Sequence, residues 1–360
     1  MGRKKIRVAI AGLGNCATSL IQGVHYYRNK TEGTIPGLMH VNFGGYLPRD
    51  IEFVAAFEVN KLKLGKDISE AILIAPNCAR KICDVPKIGV KVMPGPISDG
   101  VAPHMIEPFF CYNPNEIEPV DVAEVLRTVK ADLLINYLPV GSYESARLYA
   151  QAALDAGCAY LNCIPEFIAS DSKWGRKFEE ANLPVAGDDI KSQLGATILH
   201  RIIADLFVKR GIKLEETYQL NIGGNTDFLN MTEEDRLITK RVSKTKAVTS
   251  QVPYEIPVRI GPSDFVDFLG DQKICYIYAK GKKFGDMPVS INLKLAVEDS
   301  PNSAGVVIDA IRAVKLALDR KIAGPLISIS SYCFKHPPKQ FTDAEAFHLV
   351  EEFIQGKRER

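Results

Sequence analysis

No apolar run in this 360-residue chain approaches the ~18 residues that a membrane-spanning helix needs, which excludes a helical membrane enzyme. The opening MGRKKIRVAI soon meets Asn15 and reads as a first strand, not a secretory leader. Charge of one sign is missing too: 45 Lys and Arg stand against 43 Asp and Glu, a net +2. That balance excludes a global field for nucleic acid or a membrane surface, so any anion must be recognised by a local cluster. None of the eight cysteines pairs as C-x-x-C, which removes a zinc ribbon and a redox dithiol. Reduced thiols in a cytoplasmic enzyme are the expectation. The six histidines form no H-E-x-x-H pair, and no dedicated metal cage is expected.

What is present is an ordinary globular composition, 46% apolar and 24% charged, with length enough for two domains. Apolar, β-rich runs at 7–11, 52–58, 133–138, 159–163 and 184–186 alternate with helical patterns at 17–27, 61–74, 142–156 and 173–181. Such alternation predicts an α/β unit whose parallel sheet is covered on both faces. Residues 86–119, rich in Pro and Gly, predict a long surface excursion. Beyond Thr197 the pattern changes. Helices at 198–210 and 233–244 flank a strand at 217–222, and strands at 252–260, 273–279 and 289–295 follow. Consecutive strands predict an antiparallel or mixed sheet in a separate α+β unit. Helices at 304–320 and 343–356 then return to the first unit. The expected division is 1–197 with 299–360, and an inserted 198–298.

Gly12-Leu13-Gly14-Asn15-Cys16-Ala17 follows the first strand and opens a helix, the G-x-G-x-x-G/A pattern of a dinucleotide turn. Gly12 permits the tight turn, Gly14 lets backbone approach a pyrophosphate, and Ala17 allows close helix–strand packing. The helix N-terminus offers its free N–H groups to the phosphates. Glu58 ends the second strand and could accept from an adenosine ribose hydroxyl, favouring NAD over NADP; the other reading is a solvated strand end. Asn136-Tyr137-Leu138-Pro139-Val140-Gly141-Ser142 ends a later strand, where open α/β sheets face their ligand. Ser142 could equally cap the next helix.

Lys240 and Lys244 project from one helix face, a destabilising pair unless an anion or acid lies between them. Lys246 extends the cluster, and Gly270-Asp271-Gln272-Lys273 puts a further lysine at a turn into a strand. Gly223–Asp227 can approach a ligand with backbone amides, and Gly187–Gln193 reads as a phosphate-gripping helix start that Asp189 or Ser192 could instead simply cap. Asp299 follows a strand just before Pro301, the place of a solvated carboxylate or a helix cap.

Taken together, these segments resemble the myo-inositol-1-phosphate (inositol-3-phosphate) synthase family in its shorter prokaryotic form. The resemblance rests on Gly12–Asn15, Asn136–Pro139, Asn162-Cys163-Ile164-Pro165-Glu166-Phe167, Gly187–Ser192, Asn221–Asn230, Lys240-x-x-x-Lys244, Gly270–Lys273, Val297–Ser300 and Ser331–Lys335. It implies a Rossmann-type NAD-binding domain built from N- and C-terminal parts, with an inserted α+β domain that mediates catalysis and tetramer assembly. It implies redox-neutral cyclisation of glucose 6-phosphate: C5 oxidation by NAD, enolisation, aldol attack of C6 on C1, and re-reduction. Lys240, Lys244, Lys273 and Lys335 would oppose charge on the C5 and C1 oxygens, with Lys244 near C1. Asp271 and Asp299 would orient lysines or hydroxyls; Lys191, Ser192, Thr197 and Asn225 would hold substrate phosphate; Asp188 and Asp189 would face the cofactor. The eukaryotic Ser-Gly-Gln-Thr phosphate segment is replaced here by Ser192-Gln193-Leu194-Gly195-Ala196-Thr197. A mono- or divalent cation bridging nicotinamide phosphate and substrate stays open, as do an ordinary NAD-linked dehydrogenase and a non-catalytic NAD or sugar-phosphate sensor.

Overall fold

The computed structural model describes residues 5–360. Two sheets organise the chain. The first half lays down β1 (Ile6–Ala11), α1 (Asn15–Tyr26), β2 (Ile51–Glu58), α2 (Ile68–Ala71), β3 (Val92–Pro94), α3 (Val122–Thr128) and β4 (Leu133–Asn136). It continues through α4 (Tyr143–Asp155), β5 (Ala159–Asn162), α5 (Ser172–Glu180) and β6 (Pro184–Ala186). The second part holds α6 (Ala196–Lys209), β7 (Lys213–Gly223), α7 (Thr226–Asn230), α8 (Ile238–Thr249), β8 (Val258–Phe265), β9 (Gln272–Lys282) and β10 (Pro288–Glu298). The chain ends with α9 (Asp299–Asp319), β11 (Gly324–Pro325), α10 (Ile327–Cys333) and α11 (Asp343–Ile354).

The first sheet has the order β11-β6-β5-β4-β1-β2-β3, and every pairing in it is parallel. Strands buried on both faces read as continuous apolar runs, which is why Val8–Ala11 and Leu133–Ile135 lack alternation. One face packs Leu20 and Ile21 of α1 against Val307, Ile311 and Val314 of α9. The other buries Leu126, Tyr149 and Phe178 from α3, α4 and α5. The order reverses between β1 and β4, and a crevice opens there beyond the strand C-termini.

The second sheet, β10-β9-β7-β8, is mixed: β7, β9 and β10 pair antiparallel, while β8 joins β7 in parallel. One face packs Ile203, Phe207 and Val248 of α6 and α8 against Ile277 and Ala279. Tyr218, Leu220 and Tyr276 on the opposite face are between a third and a half exposed. Val140, Phe228, Met231 and Leu237 form a small cluster joining the β4–α4 loop to the second part.

Several expected elements shift. Of 61–74, only α2 is α-helical, because Gly65 takes φ +73° and Asp67 caps α2 at Ser69 N–H. The 86–119 excursion contributes the edge strand β3. β8 starts six residues later than expected, because prolines 253 and 257 cannot donate to a ladder. The 133–138 run ends at Asn136, whose side chain accepts from Leu138 N–H. No helix starts at 187–193; Ile190 bridges Phe334 in extended form, and α6 begins only at Ala196. The short α3, α10 and β11 were not anticipated.

Candidate active site

A single cleft runs from the β1–α1 turn to the near end of the second sheet. At one end, Gly12 has φ +89°, and a Cβ there would lie 2.7 Å from the Tyr137 carbonyl oxygen. Nothing stands within 4 Å of a Cβ built on Gly14, so its outer face is open. No side chain caps α1 and its first turn holds no acid, leaving those amides free for a phosphate. The turn therefore fits a dinucleotide pyrophosphate.

Glu58 lines this end, but its carboxylate already works for the protein. It accepts from Leu13 N–H at 2.9 Å, Val59 N–H at 2.7 Å and Asn60 N–H at 3.3 Å, with the Lys63 ammonium 3.5 Å away. Lys63 and Asn77 in turn donate to the Leu13 carbonyl at 2.8 and 3.1 Å. Asn15 accepts from Cys78 and Ala79 amides, pinning the segment after α2 to the glycine turn. Cys16 and Ala17 complete the wall. Burial pushes the Cys16 thiol up to about 12, so it stays protonated and unreactive.

Tyr137, Leu138 and Pro139 also line the cleft. Asn136 and Ser142 stand behind them: Asn136 donates to Asn162 at 2.9 Å, and the Ser142 hydroxyl donates to the Pro139 carbonyl. Ser142 does not cap α4; Asp99 does, accepting from Glu144 and Ser145 N–H at 2.8 Å each.

The other end gathers Lys240, Lys244, Lys273 and Lys335 with Asp189, Asp227, Asp299, Ser192, Thr197 and Asn225. α8 presents Lys240 and Lys244, β9 starts beside Lys273, and Lys335 follows α10. Lys240 pairs with Asp227 at 2.7 Å, Lys273 with Asp299 at 3.2 Å, and Lys335 with Asp189 at 2.7 Å. Ser243 adds a hydrogen bond to Asp189. Lys244 has no carboxylate partner among the described residues. Burial first, then Lys240, Lys273 and Lys335, hold its pKa well below the ordinary lysine value. Burial also acts to lower Lys273, but the Asp299 carboxylate outweighs it and the ammonium is favoured. Desolvation acts to raise Asp227, but Lys240 and its neighbours outweigh it and keep the carboxylate below the usual range.

Three further expected ligand contacts stand behind the wall. Asp188 is fully buried and accepts from Ile168, Ala169 and Ser170 N–H and from Asn162, shaping the loop behind Asp189. Asp271 is 3% exposed and accepts from Ser300 and Asn225; burial raises its pKa to about 6. It positions the Asn225 loop and the start of α9. Lys191 is 1% exposed and donates to Ser331 O at 2.9 Å, beside Asp343 at 3.2 Å. Sequence reasoning missed Lys63, Asn77, Gln219 and Asn221 in the lining. The signal for the last two was polar residues at alternating positions of β7, Thr217, Gln219 and Asn221, all buried.

An inositol-3-phosphate synthase of Mycolicibacterium smegmatis is 53% identical over 98% of this chain and 98% of its own length. The chain belongs to the inositol-3-phosphate synthase family. The inositol-3-phosphate synthase of Corynebacterium glutamicum is 52% identical over 98% of the chain and 99% of its own length. The family profile described as myo-inositol-1-phosphate synthase matches residues 195–300, the stretch from α6 to the start of α9. The fold matches a myo-inositol-1-phosphate synthase-related protein of Thermotoga maritima with a TM-score of 0.82 at 23% identity, covering 98% of both chains. The synthase fold thus unites the dinucleotide turn and the lysine cluster.

Proposed function

We propose that this synthase cyclises D-glucose 6-phosphate to 1D-myo-inositol 3-phosphate, on the ground that one cleft joins a dinucleotide turn to four lysines. NAD held at Gly12–Ala17 supplies hydride removal from C5 and its return after ring closure. Lys273, kept protonated by Asp299, opposes the negative charge that grows on the C5 oxygen as C6 gives its proton to Lys244, whose uncharged amine is favoured by burial and the neighbouring lysines. Lys335, fixed by Asp189, and Lys240, fixed by Asp227, flank that oxygen. When C6 attacks C1, the new C1–C6 bond leaves an alkoxide at C1, and Lys244 hands it a proton. A lysine with a lowered pKa is the better acid for that step. Ser192, Thr197 and Asn225 hold the substrate phosphate.

The proposed division is an NAD-binding domain of 1–197 with 299–360 and a catalytic and tetramerisation domain of 198–298. A homotetramer is proposed on the face of the second sheet where Tyr218, Leu220 and Tyr276 are part-exposed side by side. Light scattering tests it. The cytoplasm is the proposed compartment; among the described residues no helix is long and apolar enough to cross a membrane. Among the described residues no group of three or more His, Cys, Asp or Glu could hold a metal ion, so a mono- or divalent cation would take its ligands mainly from cofactor and substrate, a requirement tested by chelation and add-back.

The deciding experiment supplies glucose 6-phosphate with NAD far below stoichiometry and follows phosphorus NMR and NADH absorbance together. Inositol phosphate beyond the NAD supplied, without NADH, supports the cyclase. Stoichiometric NADH would establish an ordinary dehydrogenase, and binding without turnover a sensor.

A further inference from the structure

Arg201 is, with Arg312, one of the two fully buried arginines among the described residues, and it does not line the cleft. Its guanidinium ties together two distant stretches of chain, α8 at Ala247 and the segment 340–343 that leads into α11. Nε donates to Asp343 at 2.9 Å at the start of α11. Nη1 donates to the Ala247 carbonyl at 2.7 Å and to Gln340 Oε1 at 3.2 Å, and Nη2 donates to the Phe341 carbonyl. Three of these acceptors lead to groups that face the cleft. Ala247 lies one turn beyond Lys244 on α8. Gln340 uses its amide to donate to the Lys335 carbonyl at 2.7 Å. Asp343 holds Lys191 at 3.2 Å, and the next residue is Ser192. Arg201 itself lies one turn beyond Thr197 on α6.

We infer that Arg201 is a positioning residue for the cyclisation, the hub that sets Lys244, Lys335 and the Ser192–Thr197 phosphate segment at fixed distances from one another. The inference rests on the proposed function and adds a residue that touches neither substrate nor cofactor. A planar fork with five donors can serve four acceptors that lie in different directions, whereas an ammonium on a single stem cannot. The charge balance supports the same role. Asp343 pairs with both Arg201 and Lys191, and together they hold it below the usual carboxylate range against its burial. A loss of any of these contacts lets three parts of the cleft shift relative to one another, and misplacement by about 1 Å can cost on the order of a hundredfold in rate.

The test is Arg201→Lys in the full chain, beside wild-type enzyme whose turnover first establishes the reaction. Expected is a kcat lower by about a hundredfold, a raised KM for glucose 6-phosphate, and unchanged NAD affinity. Because ring closure fails more often than C5 oxidation, NADH should also stand at a higher fraction of active sites during turnover. A merely structural role would lower the folded fraction while leaving kcat per bound NAD, KM and the NADH fraction at wild-type values; that result overturns the inference. Asp343→Asn, which keeps the other Arg201 contacts, carries the same readouts if Arg201→Lys does not fold. Failure of wild-type turnover would instead count against the function itself.

Discussion

Replacing Glu58 with Gln separates two accounts of cofactor selection. In the first, the carboxylate reads the adenosine ribose and repels a 2′-phosphate. In the second, it latches the glycine turn. The geometry sizes the second effect. One carboxylate oxygen accepts from Leu13 N–H at 2.9 Å and the other from Val59 N–H at 2.7 Å. A carboxamide has a single acceptor oxygen, so one of these amides would face an NH2 group and lose its bond. Hydrogen bonds to a charged group contribute about 1.5–3 kcal/mol, or roughly 10- to 100-fold in affinity if the loss falls wholly on the turn. Lys63 would lose its carboxylate neighbour but keep its bonds to Leu13 and Asn77. Titration calorimetry with NAD and NADP, on wild type and Glu58→Gln, is the assay. The latch predicts that both affinities fall by a similar factor. Stronger NADP binding in the variant, or unchanged NAD binding, would refute it.

Lys273→Ala should abolish cyclisation while NAD still binds, since Lys273 stands at the substrate end of the cleft; retained turnover in the phosphorus NMR assay would remove it from the reaction. Lys191 offers a stability test. Burial lowers its pKa to about 8 from an ordinary 10.5, so between those values the unfolded chain binds more protons than the folded one. Its contribution to stability therefore rises with pH across that window, and Lys191→Met should flatten the slope of Tm there. His40 has the opposite sign. Burial disfavours its charged ring, but Asp309 and Glu351 outweigh burial and raise its pKa above 6.5. Its contribution is present below 6.5 and disappears as pH rises through the raised value, so His40→Asn should lower Tm in acid and change it little at pH 9.

The parallel sheet was legible because its strands are short apolar runs separated by helical periodicity, and β1, β2, β5 and β6 lie within a residue of expectation. What failed was local chemistry: Gly65 and Asp67 broke a helix whose apolar spacing looked sound, and prolines delayed β8. At the site, Lys240 and Lys244 were readable because like charges one turn apart on α8 need a reason, whereas Lys335 came from the family resemblance alone. Asp188, Lys191 and Asp271 were assigned to ligands because composition gives a residue's type but not the side of the loop it faces. Each sits one position from a residue that does line the cleft or one residue removed from it, as with Lys191 beside Ser192 and Asp271 before Lys273. Arg201 and Asp343 left no trace, since their meeting joins positions 142 residues apart.

The return of the chain to its first sheet has a consequence for how the molecule is made. When residue 298 leaves the ribosome, six of the seven parallel strands exist, yet α9 is not there to cover the apolar side of α1, and β6 still has an open edge. The glycine turn and the lysines that will work beside it can therefore settle only after residues 299–360 arrive. Until then a nascent chain displays a bare hydrophobic helix face and an unpaired strand, the two features that invite association with neighbours. An enzyme whose cofactor and substrate ends are completed by the same late segment has no half-built state in which one of them works alone.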